Sequence, residues 1–131
     1  MVAIVTVVAI RLFMVRLGEM REKRIHPQQV ATSRQVAERL QAMQASDNFR
    51  NLFEVPVLFY ALCALIVSMG EASAFFAVGG WLFVLLRAGH SYIHCTYNKV
   101  TDRFALFAAS SAVLLGLWIG FAFVAVKNHA A

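Results

Sequence analysis

The chain has 131 residues, of which 60% are hydrophobic, and its formal net charge is +5. Ordinary soluble domains are about 45–50% apolar, so this composition excludes that class and favours a single membrane domain. The basic residues cluster beside the apolar runs and are not spread over a soluble surface. This pattern favours anionic lipid headgroups or an anionic substrate over nucleic acid as partners.

Four apolar stretches predict membrane-spanning helices. They cover about residues 1–19, 49–69, 72–97 and 104–126. A transmembrane helix needs about 20 mostly apolar residues, and the first stretch, which contains Arg11, fits this requirement least well. The sequence therefore predicts an all-α membrane protein, a four-helix up-and-down bundle that forms one domain over the whole chain.

The charges of the connections predict an orientation. The connection over residues 20–48 is strongly basic, the one before the fourth span holds Lys99 and Arg103, and the one between the second and third spans holds only Glu71. By the positive-inside rule, the two basic connections are cytoplasmic and both termini lie outside, across the inner membrane if the source is bacterial.

Local signals divide the first connection. Pro27 disfavours helical backbone at His26 and so ends the preceding helix, and Thr32 or Ser33 can cap a new helix. We expect a cytoplasmic surface helix over residues 28–46. Asp47 is then predicted to be the N-cap of the second span.

Two further patterns concern packing. The small side chains of the fourth span recur every fourth residue, which predicts a close-packing ridge; they are Ala108, Ala112, Gly116 and Gly120. Cys63 and Cys95 lie at different depths of their spans, so we expect both thiols to be reduced.

Polar side chains gather at one end of the apolar stretches. Asn51 and Glu54 are three residues apart, which predicts one shared helix face, with Arg50 beside them. On the third span one stripe at helical spacing carries four polar residues: Arg87, His90, His94 and Tyr97. Ionisable groups held at the edge of hydrocarbon indicate a functional site.

Several simpler interpretations stay open. Glu54 can form a structural ion pair with Arg11 or Arg87, and Arg50 and Arg103 can be interfacial anchors. His90 and His94 can share a metal, but no further carboxylate or thiol pattern completes such a site, and we predict none. A proton path through Glu54 and the two histidines lacks polar groups in the opposite halves of the spans.

Three features of the chain point to a known family: the segment Asn51-Leu-Phe-Glu54-Val-Pro56, the segment Arg87-Ala-Gly-His90 and Arg103 before the last span. They resemble the MAPEG family, the membrane-associated proteins of eicosanoid and glutathione metabolism, and in particular a bacterial-type member. The resemblance implies a homotrimer that binds glutathione between neighbouring subunits near the cytoplasmic side. It further implies a microsomal-type glutathione transferase or peroxidase acting on lipophilic electrophiles from the bilayer.

The resemblance also implies roles for particular residues. Arg103 corresponds to the arginine near the thiol of glutathione in catalytic members. The residues that match or neighbour the family's glutathione contacts are Arg50, Asn51, Glu54, Arg87, His90, His94 and Tyr97. Asp47 stands where catalytic members usually carry arginine, and Val55 where a tyrosine is expected. These two departures favour the alternative, a non-catalytic membrane scaffold or lipid-binding protein.

Overall fold

A computed structural model describes residues 1–40 and 43–130, which contain helices and no strand. Six α-helices follow one another: α1 Val2–Glu22, α2 Ser33–Arg39, α3 Met43–Asn51, α4 Val55–Ser68, α5 Ala74–Cys95 and α6 Val100–Ala130. A short 3-10 helix, Pro27–Val30, precedes α2. The described chain forms two compact units, Met1–Leu52 and Phe53–Ala131.

Three of the described helical segments are long and apolar enough to cross a membrane. They are Met43–Ser68, which joins α3 and α4, Ala74–Cys95 and Val100–Ala130. These segments agree with the predicted second, third and fourth spans. Helix α1 forms over 21 residues as expected, but it carries Arg11, Arg16 and Glu19 and is not among the three. A fourth span, and with it the four-helix bundle, stays a prediction.

In the first unit, helix α1 contacts α3. The contact includes a hydrogen bond of 3.0 Å from the Arg16 guanidinium to the Ser46 hydroxyl. Thr32 is the N-cap of α2, and its side chain accepts a hydrogen bond from the Gln35 amide while Gln35 bonds back to the Thr32 amide. This capping box satisfies two amides at the start of a helix, so the predicted cap is confirmed.

The first unit corrects two predictions. Residues 28–46 are not one helix, because the 3-10 helix, α2 and the start of α3 divide them. Asp47 is not an N-cap, because α3 already begins at Met43 and Asp47 lies inside it. The spacing of apolar residues did not distinguish one helix from three short segments, of which the first two each begin with a capping box.

In the second unit, α5 packs along α6, and α4 also contacts α6. The buried face of α6 consists of Ser110, Leu114, Leu117 and Phe121. The small-residue ridge lies on the other side of this helix: Ala108, Ala112 and Gly116 are exposed. A Cβ atom added at Gly120 would lie 2.7 Å from the Phe75 ring, whereas one added at Gly116 would have nothing within 4 Å. The ridge therefore does not form the main contact between the described helices of this chain.

Cys63 and Cys95 are free thiols, as predicted. At the end of the second unit away from the polar cluster described below, the Asn128 amide donates a hydrogen bond of 2.7 Å to the Glu71 carboxylate. This bond joins the α4–α5 connection to the last turn of α6.

Candidate functional site

The last three turns of α5 carry a buried polar face. Arg87 is fully buried, and His90 and His94 expose 3% and 1% of their surfaces. The three side chains fall on one stripe because their spacing of three and four residues matches the helical repeat. Burial of such groups is costly unless they are paired, so their position indicates a function or a specific structural role.

Helix α6 closes over this face. The ring of Phe107 lies 5.8 Å from the Arg87 guanidinium carbon, a cation–π contact. The His90 ring lies 6.1 Å from the same phenyl ring and 5.9 Å from His94. The Phe107 ring therefore packs against both Arg87 and His90 of the polar stripe. It escaped the sequence analysis because one more aromatic residue in an apolar span carries no distinguishing signal.

His90 also binds the start of α6. Its Nδ1 atom lies 2.9 Å from the backbone carbonyl oxygen of Arg103. Because a carbonyl only accepts, Nδ1 must carry the proton and donate, which leaves Nε2 of the neutral ring as an acceptor. Nε2 is buried and has no hydrogen-bond partner among residues 1–40 and 43–130. Arg87, His94 and Arg103 are all close enough for their charges to act on the His90 ring.

The Arg103 side chain is held by the loop between α5 and α6. Its Nη1 atom donates a hydrogen bond of 2.6 Å to the Asn98 side-chain oxygen. Asn98 has a left-handed backbone with φ +48°, a conformation that asparagine tolerates better than most residues. Arg103 itself is half-buried in the first turn of α6. Asn98 is thus a positioning residue that the sequence analysis did not single out.

Glu54 adds a carboxylate to the cluster from a further segment of this unit. It lies immediately before α4, and its carboxylate is close enough to attract the Arg87 guanidinium. A charge interaction of Glu54 with Arg87 thus lies within the second unit, and an ion pair of Glu54 with Arg11 stays a prediction. Glu54 is largely exposed, so it offers a carboxylate at the edge of the cluster.

Two predictions about position are wrong. Tyr97 does not share the stripe of α5, because the helix ends at Cys95; its ring is 59% exposed and its hydroxyl donates to Asp102 at 3.3 Å. Asn51 and Glu54 do not share one helix face either. Helix α3 ends at Asn51 and α4 begins at Val55, so the chain is not helical between them.

Arg50 and Asn51 lie in the last turn of α3, in the first unit. Arg50 is exposed and Asn51 is half-buried. Their contribution to the site stays a prediction. The second unit by itself brings together five of the predicted residues: Glu54, Arg87, His90, His94 and Arg103.

The spans and the cluster define a class: a helical membrane protein with a buried cluster of arginine and histidine side chains near one end of its long helices. The chain matches the MAPEG family over residues 1–123 and belongs to that family. No curated protein and no solved structure matches the chain closely enough to be compared with it. The resemblance seen in the sequence is therefore confirmed at the level of the family.

Proposed function

We propose that this protein is an integral-membrane, glutathione-dependent transferase or peroxidase for lipophilic electrophiles. In this proposal Arg103 stabilises the glutathione thiolate, and Glu54, Arg87, His90 and His94 orient the tripeptide with Arg50 and Asn51. The working form is a homotrimer, and the site lies near the cytoplasmic face.

The observation that carries the proposal is the convergence of polar groups from α5, from the start of α6 and from the residue before α4. The Nδ1 atom of His90 is bonded to the Arg103 carbonyl oxygen, and the His90 ring lies 5.9 Å from the His94 ring. The Arg87 guanidinium lies on the same stripe with the Glu54 charge near it. If each of these groups were only an interfacial anchor, we would not expect ionisable groups from three separate segments to lie together. Groups that merely anchor a helix point outward towards headgroups and water.

The chemistry of the cluster fits glutathione. The tripeptide carries two carboxylates, an ammonium group and a thiol. Arginines pair well with carboxylates, and the exposed Glu54 carboxylate suits an ammonium group. The unpartnered Nε2 atom of His90 is a buried acceptor that an amide N–H of a ligand would satisfy.

A cation beside the thiol supplies the reactivity. A positive charge stabilises the thiolate and lowers the pKa of the thiol, so more of the nucleophile is present at neutral pH. The thiolate sulfur then bonds to the electrophilic carbon as that carbon's leaving group departs with its electron pair. Arg103 suits this role better than Arg87, because Arg103 is half-buried whereas Arg87 is fully buried.

The test is a conjugation assay with reduced glutathione and a lipophilic aryl halide, on purified protein in lipid nanodiscs. We expect turnover by the wild type, a loss of about 100-fold in Arg103→Ala because a preorganised charge is removed, and partial retention in Arg103→Lys. Lys127→Ala is the matched control, since Lys127 is an exposed cation at the other end of α6. Absence of turnover, or an unchanged rate in Arg103→Ala, contradicts the proposal.

The alternative is a non-catalytic membrane scaffold or lipid-binding protein with the same fold. One observation favours it: Asp47 lies inside α3 and one turn before Arg50 and Asn51, where a carboxylate repels an anionic ligand. Under this alternative, isothermal titration of the reconstituted protein with glutathione shows no binding, and Asp47→Arg creates none. Binding that strengthens in Asp47→Arg would instead support the glutathione site.

A further inference from the structure

A surface groove lies at the C-terminal end of α1, in the first unit. Its volume is about 370 Å³, within the range of about 300–1,000 Å³ that is usual for ligand sites. Its surface is mostly apolar, and four of its seven lining residues are apolar, namely Leu17, Met20, Ile25 and Pro27. The other three are basic, namely Arg21, Arg24 and His26, and no acidic residue lines it.

The way α1 ends builds this groove. The Ile25 amide donates to the Met20 carbonyl at 2.9 Å and the Arg24 amide to the Arg21 carbonyl at 3.3 Å. This pair of bonds is a Schellman motif, which satisfies the last carbonyls of the helix and brings the side chains of Met20 and Ile25 together.

Arg24 occupies the position of this motif that normally holds glycine. Its backbone is left-handed, with φ +52°, which an arginine side chain adopts only under strain. The favourable interaction of cations with the end of a helix explains basic residues in the last turn. This interaction does not explain the strained arginine at position 24, where glycine would be unstrained, because Arg21 and Lys23 already supply positive charge at the end of the helix.

The donors of the groove are available to a ligand. Glu19 of α1 forms an ion pair with Lys23, with an N···O distance of 3.5 Å. The Nδ1 atom of His26 accepts a hydrogen bond from the Gln28 amide, so the proton of its neutral ring is on Nε2, where it can be donated. Two guanidinium groups and this N–H make a set of donors suited to a phosphate.

We propose that the groove binds the headgroup of an anionic phospholipid. The basic part pairs with the phosphate, and the apolar part covers the glycerol and the first methylenes of the acyl chains. A soluble anion would leave the apolar part without a role. The first 15 residues of the chain, which precede the groove, contain Arg11 as their only charged side chain. If α1 enters the bilayer as the sequence predicts, lipid therefore lies close to the groove.

The test uses native mass spectrometry of detergent-purified protein that has been supplied with equal amounts of phosphatidylglycerol and phosphatidylcholine. We expect the wild type to retain phosphatidylglycerol preferentially. Arg24→Gly removes one cation and relieves the backbone strain, so its melting temperature should be unchanged or higher. Its preference for phosphatidylglycerol should nevertheless fall about fivefold, and that of Arg21→Gln/Arg24→Gly further still.

The matched control is Arg34→Gln/Arg39→Gln, which lowers the net charge equally at exposed positions of α2 outside the groove. We expect this control to keep the wild-type preference. Equal losses in the two double variants would mean unspecific charge attraction and would overturn the proposal. Displacement of the bound phosphatidylglycerol by inorganic phosphate at millimolar concentration would overturn it too, because the site would then be one for free anions. Neither result depends on glutathione turnover.

Discussion

At the scale of single residues, Asn98 connects backbone conformation to the candidate site. Its left-handed φ of +48° places the side-chain oxygen 2.6 Å from Nη1 of Arg103. The Arg103 carbonyl meanwhile fixes the tautomer of His90. One loop residue therefore influences the position of the arginine that we place beside the thiolate.

Two substitutions separate these contributions of Asn98. Asn98→Gly keeps the backbone relaxed but removes the side-chain acceptor, whereas Asn98→Ala also forces a left-handed alanine, at a cost of about 1–2 kcal/mol. If Arg103 acts as proposed, both variants should lose about tenfold in kcat because the guanidinium is less well positioned. Only Asn98→Ala should show a clearly lower melting temperature.

The control for this pair is Thr101→Ala, which removes a different hydrogen bond near the same loop, from the Thr101 hydroxyl to Asp102. It should leave kcat unchanged. A wild-type kcat in Asn98→Gly would show that the bond to Arg103 has no positioning role, and a KM effect alone would point to binding of the tripeptide instead.

Much of the candidate site could be predicted from residue spacing. The stripe Arg87, His90 and His94 forms as expected because it lies inside one uninterrupted helix, where a spacing of three and four residues fixes the direction of side chains. The predicted positions of Tyr97 and of the pair Asn51 and Glu54 were wrong because helix ends intervene. Helix α5 ends before Tyr97, and α3 ends at Asn51, before Glu54. The sequence signals at such breaks, Thr96 to Asn98 after α5 and Pro56 in the first turn of α4, are weak compared with the apolar pattern around them.

At the scale of elements, the packing of α5 on α6 depends on Gly79. A Cβ atom added there would lie 2.5 Å from Cδ2 of Leu117, whose side chain is 3% exposed and has little room to move. By contrast, a Cβ atom added at Gly116 on α6 has nothing within 4 Å. The two glycines therefore offer a matched comparison of a tight and an open helical position.

We expect Gly79→Ala to lower the free energy of unfolding by about 1–3 kcal/mol, since overpacking a buried contact forces side chains to shift. Gly116→Ala should be neutral or stabilising by up to about 1 kcal/mol, because alanine is the better helix former. Unfolding in mixed micelles with increasing sodium dodecyl sulfate measures both. A large loss in Gly116→Ala would contradict an open face and indicate that another copy of the chain packs there, as the proposed homotrimer permits.

The helices themselves differ in how far the sequence anticipates them. The third and fourth spans were predicted to within about four residues because long apolar runs have no competing interpretation. The region over residues 28–46 was not, because a run of polar residues with scattered apolar ones fits one long helix or several short ones equally well. The His26 and Thr32 capping boxes decided between them, and each depends on local hydrogen bonds.

At the scale of the whole molecule, the number of crossings decides where the termini lie. The three spans identified from length and hydropathy place the chain ends on opposite sides of a membrane if α1 stays on one side. A fourth crossing by α1 puts both ends on the same side. Arg11 opposes this crossing, since a central arginine costs about 2.5–3.5 kcal/mol on insertion scales. The apolar residues around it and the basic connection that follows favour the crossing.

We expect four crossings, with both termini outside and the connection that contains α2 in the cytoplasm. In a background with Cys63 and Cys95 replaced by alanine, single cysteines at Ala3, Ser33 and Ala130 report on the three regions, all of which are exposed. A membrane-impermeant maleimide added to intact cells should label the first and last positions, and Ser33→Cys only after lysis. Labelling of Ala3→Cys and Ser33→Cys but not Ala130→Cys, or of Ala130→Cys alone, would contradict the four-helix topology, because three crossings place α1 and the connection on one side and the C-terminal end on the other. The four-helix arrangement holds only if Ala3→Cys and Ala130→Cys react together, because an odd number of crossings would place the two ends on opposite sides.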